Sequence, residues 1–137
     1  MNRLYPSDLA GFARKYRFAG GKLRRVKLAY RGPESLTAEA VLSVRPATRD
    51  LGADARPIRL RLRLVGVEEY RFQKRPSAAG GKVTEARFGY FGDMYFVNLD
   101  AWGLQPGEVP KIHDFRGSDT YLAGRELYWE VIEPKQG

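Results

Sequence analysis

The chain predicts an α+β fold that is mainly β: an antiparallel sheet or partly closed barrel of six to seven strands with a short N-terminal helix. Three observations carry that expectation. The stretch Ile58-Arg59-Leu60-Arg61-Leu62-Arg63-Leu64 alternates apolar and cationic residues at the two-residue period of a half-buried strand. Several further alternating runs are separated by short segments rich in Gly and Pro, the punctuation of hairpins. No crossover helix of adequate length lies between the strands, which argues against parallel βαβ units. A length of 137 residues fits one domain around one core, spanning 1–137, and no internal repeat is visible.

Taken in order, Pro6-Ser7-Asp8 followed by Leu9, Phe12, Ala13 and Tyr16 reads as a short amphipathic helix with Ser7 as N-cap. Ala19-Gly20-Gly21 is expected to break it. From Lys22 the period is two, with Val26, Leu28 and Tyr30 on one side of a strand and Arg25 and Lys27 on the other. The turn residues 31–35 lead to Leu36, Ala38, Ala40, Leu42 and Val44, so these two strands should form a hairpin. Arg45 to Pro57 reads as a loop, bounded by prolines and carrying Asp50, Gly52 and Asp54.

The alternating strand then begins at Ile58, is interrupted at Gly66, and resumes in extended form as Val67 to Phe72. Residues 73–81 are polar and glycine-rich, a loop. Val83 to Phe91 is extended, and Gly92-Asp93 is a two-residue turn of the type II′ kind that delivers Met94 to Leu99 as the next strand. Asp100 to Gly124 holds too many helix and strand breakers for a long element. Arg125 to Glu133 closes the chain with aromatic and β-branched residues suited to a strand.

Composition narrows the function classes. There is no cysteine, which excludes disulfides, thiolate metal sites and cysteine nucleophiles and fits a reducing compartment. The N-terminus lacks the apolar run of a signal peptide and no stretch reaches the length of a membrane span, so the expectation is a soluble cytoplasmic protein with no membrane partner. The formal net charge is +8 and it is uneven: 15 Lys and Arg stand against 6 Asp and Glu in residues 1–68, but 9 against 10 in residues 69–137. Such an excess favours an anionic partner, although an Arg-, Ala- and Gly-rich composition explains part of it without function.

The lone histidine, His113, stands near Asp114, Arg116, Ser118 and Asp119 and forms a candidate loop site. Hydrolysis would pair Ser118 with His113, yet the surrounding residues lack the strand-to-helix elbow that exposes a nucleophilic serine, and a loop hydrogen-bond network accounts for the same residues. No catalytic residue is assigned. One histidine and irregularly spaced aspartates fit no metal site, and Gly20-Gly21 and Gly80-Gly81 lack the spacing of phosphate loops, so no cofactor is expected. The better candidate is a basic sheet face made of Arg25, Lys27, Arg59, Arg61 and Arg63, with Glu39, Glu68 and Glu69 as neutralising neighbours and Tyr30, Tyr70, Phe72, Phe88 or Tyr90 available for stacking if exposed.

The alternating strand with Gly66-Val67, the extended stretch after it, and Val83-Thr84-Glu85-Ala86 leading into the Gly92-Asp93 hairpin together resemble small bacterial β-rich domains, including some immunity proteins of polymorphic toxin systems. That resemblance implies a non-enzymatic protein that neutralises a partner by binding. The leading expectation is therefore a non-enzymatic module for protein recognition, acting through the basic face or the 100–124 segment, with Trp102, Leu104 and Phe115 as anchors. The alternative is sequence-independent binding of RNA or single-stranded DNA by the basic face. Pairing of exposed edge strands would also make a homodimer.

Overall fold

The computed structural model describes residues 1–30, 32, 35–46, 56–72, 86–99, 111–116 and 120–132. They form strands β1 (Asn2–Leu4), β2 (Tyr16–Tyr30), β3 (Leu36–Pro46), β4 (Ile58–Phe72), β5 (Arg87–Phe91), β6 (Met94–Asn98) and β7 (Thr120–Ile132). A 3-10 turn at Pro6–Asp8 runs into helix α1 (Leu9–Lys15), and helix α2 (Ile112–Arg116) precedes β7. Every pairing is antiparallel and the sheet order is β2-β3-β4-β7-β6-β5. β1 pairs with residues Leu127–Trp129 of β7, and β6 pairs with Tyr121–Gly124, so the two short strands follow one another along the edge of β7 that β4 does not occupy. The result is the mainly antiparallel sheet that the alternating runs predict, curled into a half-barrel.

β4 is central because its alternation is satisfied on both sides. Leu60, Leu62 and Leu64 are at most 2% exposed and face Leu42, Ala40 and Ala38 of β3 and Val131, Trp129 and Leu127 of β7. Small Ala40 and Ala38 of β3 thus meet large Leu62 and Leu64 of β4. Burial of each such leucine contributes about 1.5–3 kcal/mol. Beyond Leu64, Gly66 at φ +70° and a bulge between Val67 and Glu69 reset the alternation, so that Val67 also reaches the core.

Curling brings the two ends of the sheet together. Phe18 of β2 and Phe88 of β5, on strands at opposite ends of the order, have ring centroids 5.3 Å apart. Phe12 of α1 fills the space beside them, 5.5 Å from Phe88 and 5.3 Å from the Trp129 ring. Edge-to-face contacts of this kind add about 0.5–1.5 kcal/mol each beyond burial. A second, smaller core lies on the other face of the sheet, where Phe115 of α2 packs on Phe96 and Phe91 beside Tyr121 and Ala123.

Several sequence expectations need correction. The helix ends at Lys15, not at Gly20-Gly21, because Tyr16 and Phe18 are both buried while Arg17 between them is exposed, which is strand alternation. Ser7 makes no cap; the Asp8 carboxylate instead accepts the Tyr5 N–H at 2.9 Å. Both Gly92 and Asp93 have positive φ (55° and 62°), the signature of a type I′ turn rather than II′. β7 starts at Thr120 and passes through Gly124, so the expected irregular segment ends earlier. Phe115 is fully buried and cannot anchor a partner. The loop predicted over 45–57 begins later, since β3 runs through Arg45 and Pro46, and its residues 47–55, the predicted loop 73–81, Trp102 and Leu104 lie outside the described residues.

Candidate functional site

The face of the sheet turned away from the main core is set by register. In three successive rows Lys22, Ser43, Arg59 and Ile132 lie side by side across β2, β3, β4 and β7, then Arg25, Val41, Arg61 and Glu130, then Lys27, Glu39, Arg63 and Tyr128. All five residues expected on a basic face, Arg25, Lys27, Arg59, Arg61 and Arg63, therefore share one surface. They form two cationic columns, one on β2 and one on β4, about 10 Å apart because one strand lies between them. Within a column the spacing along a strand is about 7 Å. Ser43, Val41 and Glu39 floor the channel between the columns.

Part of this charge is neutralised. Arg63 donates from Nε to the Glu39 carboxylate at 2.8 Å and also from Nη2 to the same oxygen. Arg61 donates to Glu130 at 2.5 Å. On the far side of β7, Arg3 lies 3.6 Å from Glu126, whose carboxylate also accepts the Tyr128 hydroxyl at 2.6 Å, a bond that holds the phenol above its ordinary pKa. Lys22, Arg25, Lys27 and Arg59 are exposed and make no ion pair among the described residues. Glu39 is thus the one anticipated acidic neighbour that reaches the row. Glu68 pairs with Arg125 at 2.8 Å and Glu69 with Arg116 at 2.9 Å, both away from it.

Two partners were missed by the sequence reading. Glu130 was legible, since Glu126, Tyr128 and Glu130 alternate with Leu127, Trp129 and Val131 at the strand period. Lys22 was hidden, because the register shift between Leu23 and Arg25 places Lys22 and Arg25 on one face three residues apart. The aromatic residues proposed for stacking do not join the cations. Tyr30, Tyr70 and Tyr90 pair with Leu36, Leu122 and Tyr95 on the core side of the sheet, and Phe88 packs on Phe12 and Phe18. The side chain of Phe72 is outside the described set.

The loop candidate is only partly in view. Asp114 caps α2, its carboxylate accepting the Lys111 N–H at 2.7 Å while its own N–H donates to the Lys111 carbonyl at 2.9 Å. Arg116 makes a two-pronged bond to Glu69 (3.0 and 2.9 Å), which also accepts the Tyr121 hydroxyl at 3.2 Å. The Arg116 guanidinium holds the Glu69 carboxyl below its ordinary value. These contacts tie α2 to β4 and β7. His113 belongs to α2 but its side chain is not described, and Ser118 and Asp119 lie outside the described residues.

Among the described residues no group of three or more His, Cys, Asp or Glu side chains is placed to hold a metal ion, and no helix is long and apolar enough to cross a membrane. No protein-family model, curated protein or solved structure matches this chain.

Proposed function

We propose that this protein is a non-enzymatic binding module whose two-column basic face takes the phosphate backbone of single-stranded nucleic acid without reading its sequence. The observation that carries the reading is the cluster of exposed cations Lys22, Arg25, Lys27 and Arg59 on one sheet face, none of which makes an ion pair among the described residues. Their spacing of about 7 Å along a strand is close to that of successive phosphates in an extended strand. Arg61 and Arg63 extend the same surface, since each guanidinium keeps N–H donors beyond those given to Glu130 and Glu39.

The distribution of apolar surface favours this reading over protein recognition. Protein interfaces are anchored by large apolar or aromatic residues in desolvated pockets. Among the described residues, Tyr30, Tyr70, Tyr90 and Val131 are exposed with the core-side parity of their strands and not that of the cations, and the other two exposed ones, Met1 and Tyr5, flank β1 on the far edge of β7. Tyr128, whose hydroxyl is bonded to Glu126, is the one aromatic residue in the described rows, so contact falls mainly on phosphates, which position a strand but carry no sequence information.

Fluorescence anisotropy with a labelled single-stranded oligonucleotide at low salt tests the reading. The Arg25→Gln/Lys27→Gln/Arg59→Gln variant is expected to bind at least tenfold more weakly, about 1.4 kcal/mol, and equally so for oligonucleotides of unrelated sequence. Unchanged affinity in that variant, or retention of poly-glutamate in preference to the oligonucleotide, would sink it, the second result in favour of an acidic protein partner.

A further inference from the structure

The Gly20-Gly21 pair has a role that its spacing in the sequence does not advertise. β2 and β3 pair at Arg17 with Arg45 and again at Lys22 with Ser43, so five steps of β2 answer two of β3 and residues 18–21 bulge out of the ladder. Gly20 takes φ +80°, and a Cβ on Gly21 would lie 2.6 Å from the Ser43 carbonyl oxygen, so only glycine lets the bulge fold down this tightly. The bulge leaves a depression of about 420 Å³ lined by Arg17, Lys22, Arg24 and Arg45 around Gly20, Gly21 and Ser43.

Among the described residues, four cations and no carboxylate line this depression. All four are exposed and none makes an ion pair among the described residues, so no described carboxylate offsets their mutual repulsion. Two successive irregularities in β2 gather them. The bulge at residues 18–21 brings Lys22 next in the ladder after Arg17, a second register shift leaves Arg24 as an extra residue between Leu23 and Arg25, and strand pairing sets Arg17 beside Arg45. Cations with arginine forks converging on a glycine-built concavity make a receptor for a compact multivalent oxyanion, and phosphate geometry suits guanidinium donors in particular.

We infer that the depression at the β2 bulge is a phosphate-binding subsite, built for a group carrying more than one negative charge, such as a terminal phosphate or a pyrophosphate. Ser43 belongs both to this depression and to the channel between the cationic columns, so the subsite opens at one end of the basic face. The inference rests on the cations of the bulge and not on the polymer reading of that face. The source of the phosphate is either the phosphorylated end of a nucleic-acid strand or a free phosphorylated small molecule.

Isothermal titration of the full chain with pyrophosphate tests the subsite. Wild-type protein is expected to bind, Arg17→Gln/Arg45→Gln to bind at least tenfold more weakly, and Arg71→Gln/Arg125→Gln, exposed cations away from the basic face, to stay within twofold of wild type. Circular dichroism of each variant checks that it is folded, and Arg24→Gln gives a second, milder variant off the pairing register. No heat with pyrophosphate at millimolar concentration, or equal weakening by the two double variants, overturns the subsite. An oligonucleotide bearing a 5′-phosphate, compared with its 5′-hydroxyl twin, separates the sources: tighter binding of the phosphorylated strand assigns the subsite to a strand end, and pyrophosphate binding with no such preference assigns it to a small molecule. Pyrophosphate binding in a protein that retains no oligonucleotide would keep the subsite and dismiss the polymer.

Discussion

Glu69 accepts two bonds from Arg116 and one from the Tyr121 hydroxyl. Arg116 lowers its pKa from the ordinary 4.5. The unfolded chain therefore binds a proton at Glu69 at a higher pH than the folded one, and folding is favoured above the unfolded value. This contribution is fully present above about pH 5 and is lost as the pH falls through the lowered folded pKa. Urea midpoints measured from neutral to acid pH should show a drop that Glu69→Gln diminishes; an acid limb identical in the variant would mean the pair is not maintained in solution. The pair could not be read from the sequence, because Glu69 and Arg116 are 47 positions apart and meet only once α2 docks on the outer face of β4 and β7. Arg59, Arg61 and Arg63, by contrast, were legible at once, since parity along one strand needs no tertiary information.

At the scale of elements, alternation was enough to find β3, β4 and β6 and the inward sets Ala38 to Val44 and Leu60 to Leu64, all nearly or fully buried. It was not enough where extra residues enter a strand. Three at residues 18–21 of β2, one at Arg24 and one in β4 after Val67 each shift parity, and a period-two reading either stops there or starts late. α2 spans five residues, too few for a helical period to register, and it is held by burial of Phe115 against Phe91 and Phe96. Phe115→Ala should cost about 3–5 kcal/mol by leaving a cavity over Phe96; a loss below about 1 kcal/mol by chemical denaturation would show that α2 contributes little to the fold. The Gly92-Asp93 turn also separates two expectations. With left-handed φ at Gly92, Gly92→Ala should destabilise by about 1 kcal/mol while Gly92→Asn stays nearly neutral, and equal stability of Ala and Asn variants would contradict a type I′ turn.

For the molecule as a whole, the uneven charge of the chain becomes a surface. The cation excess of residues 1–68 falls on β2 and β4, which the intervening β3 holds parallel in space, while the acidic residues Glu126 and Glu130 of β7 border the array on one side only. The main core curls away from this face and closes over Phe12, Phe18 and Phe88, leaving the basic face open at the bulge end. Neutral substitution of its unpaired cations removes no buried group, so it should separate binding from folding. The most direct test is the salt dependence of oligonucleotide affinity. If Arg25, Lys27 and Arg59 each meet a phosphate, the wild-type protein should lose affinity steeply with salt. In a plot of log affinity against log salt, the variant with all three changed to Gln should have a slope shallower by about 2, at roughly 0.7 per contact on a single strand. A wild-type slope that the triple variant leaves unchanged would contradict the account.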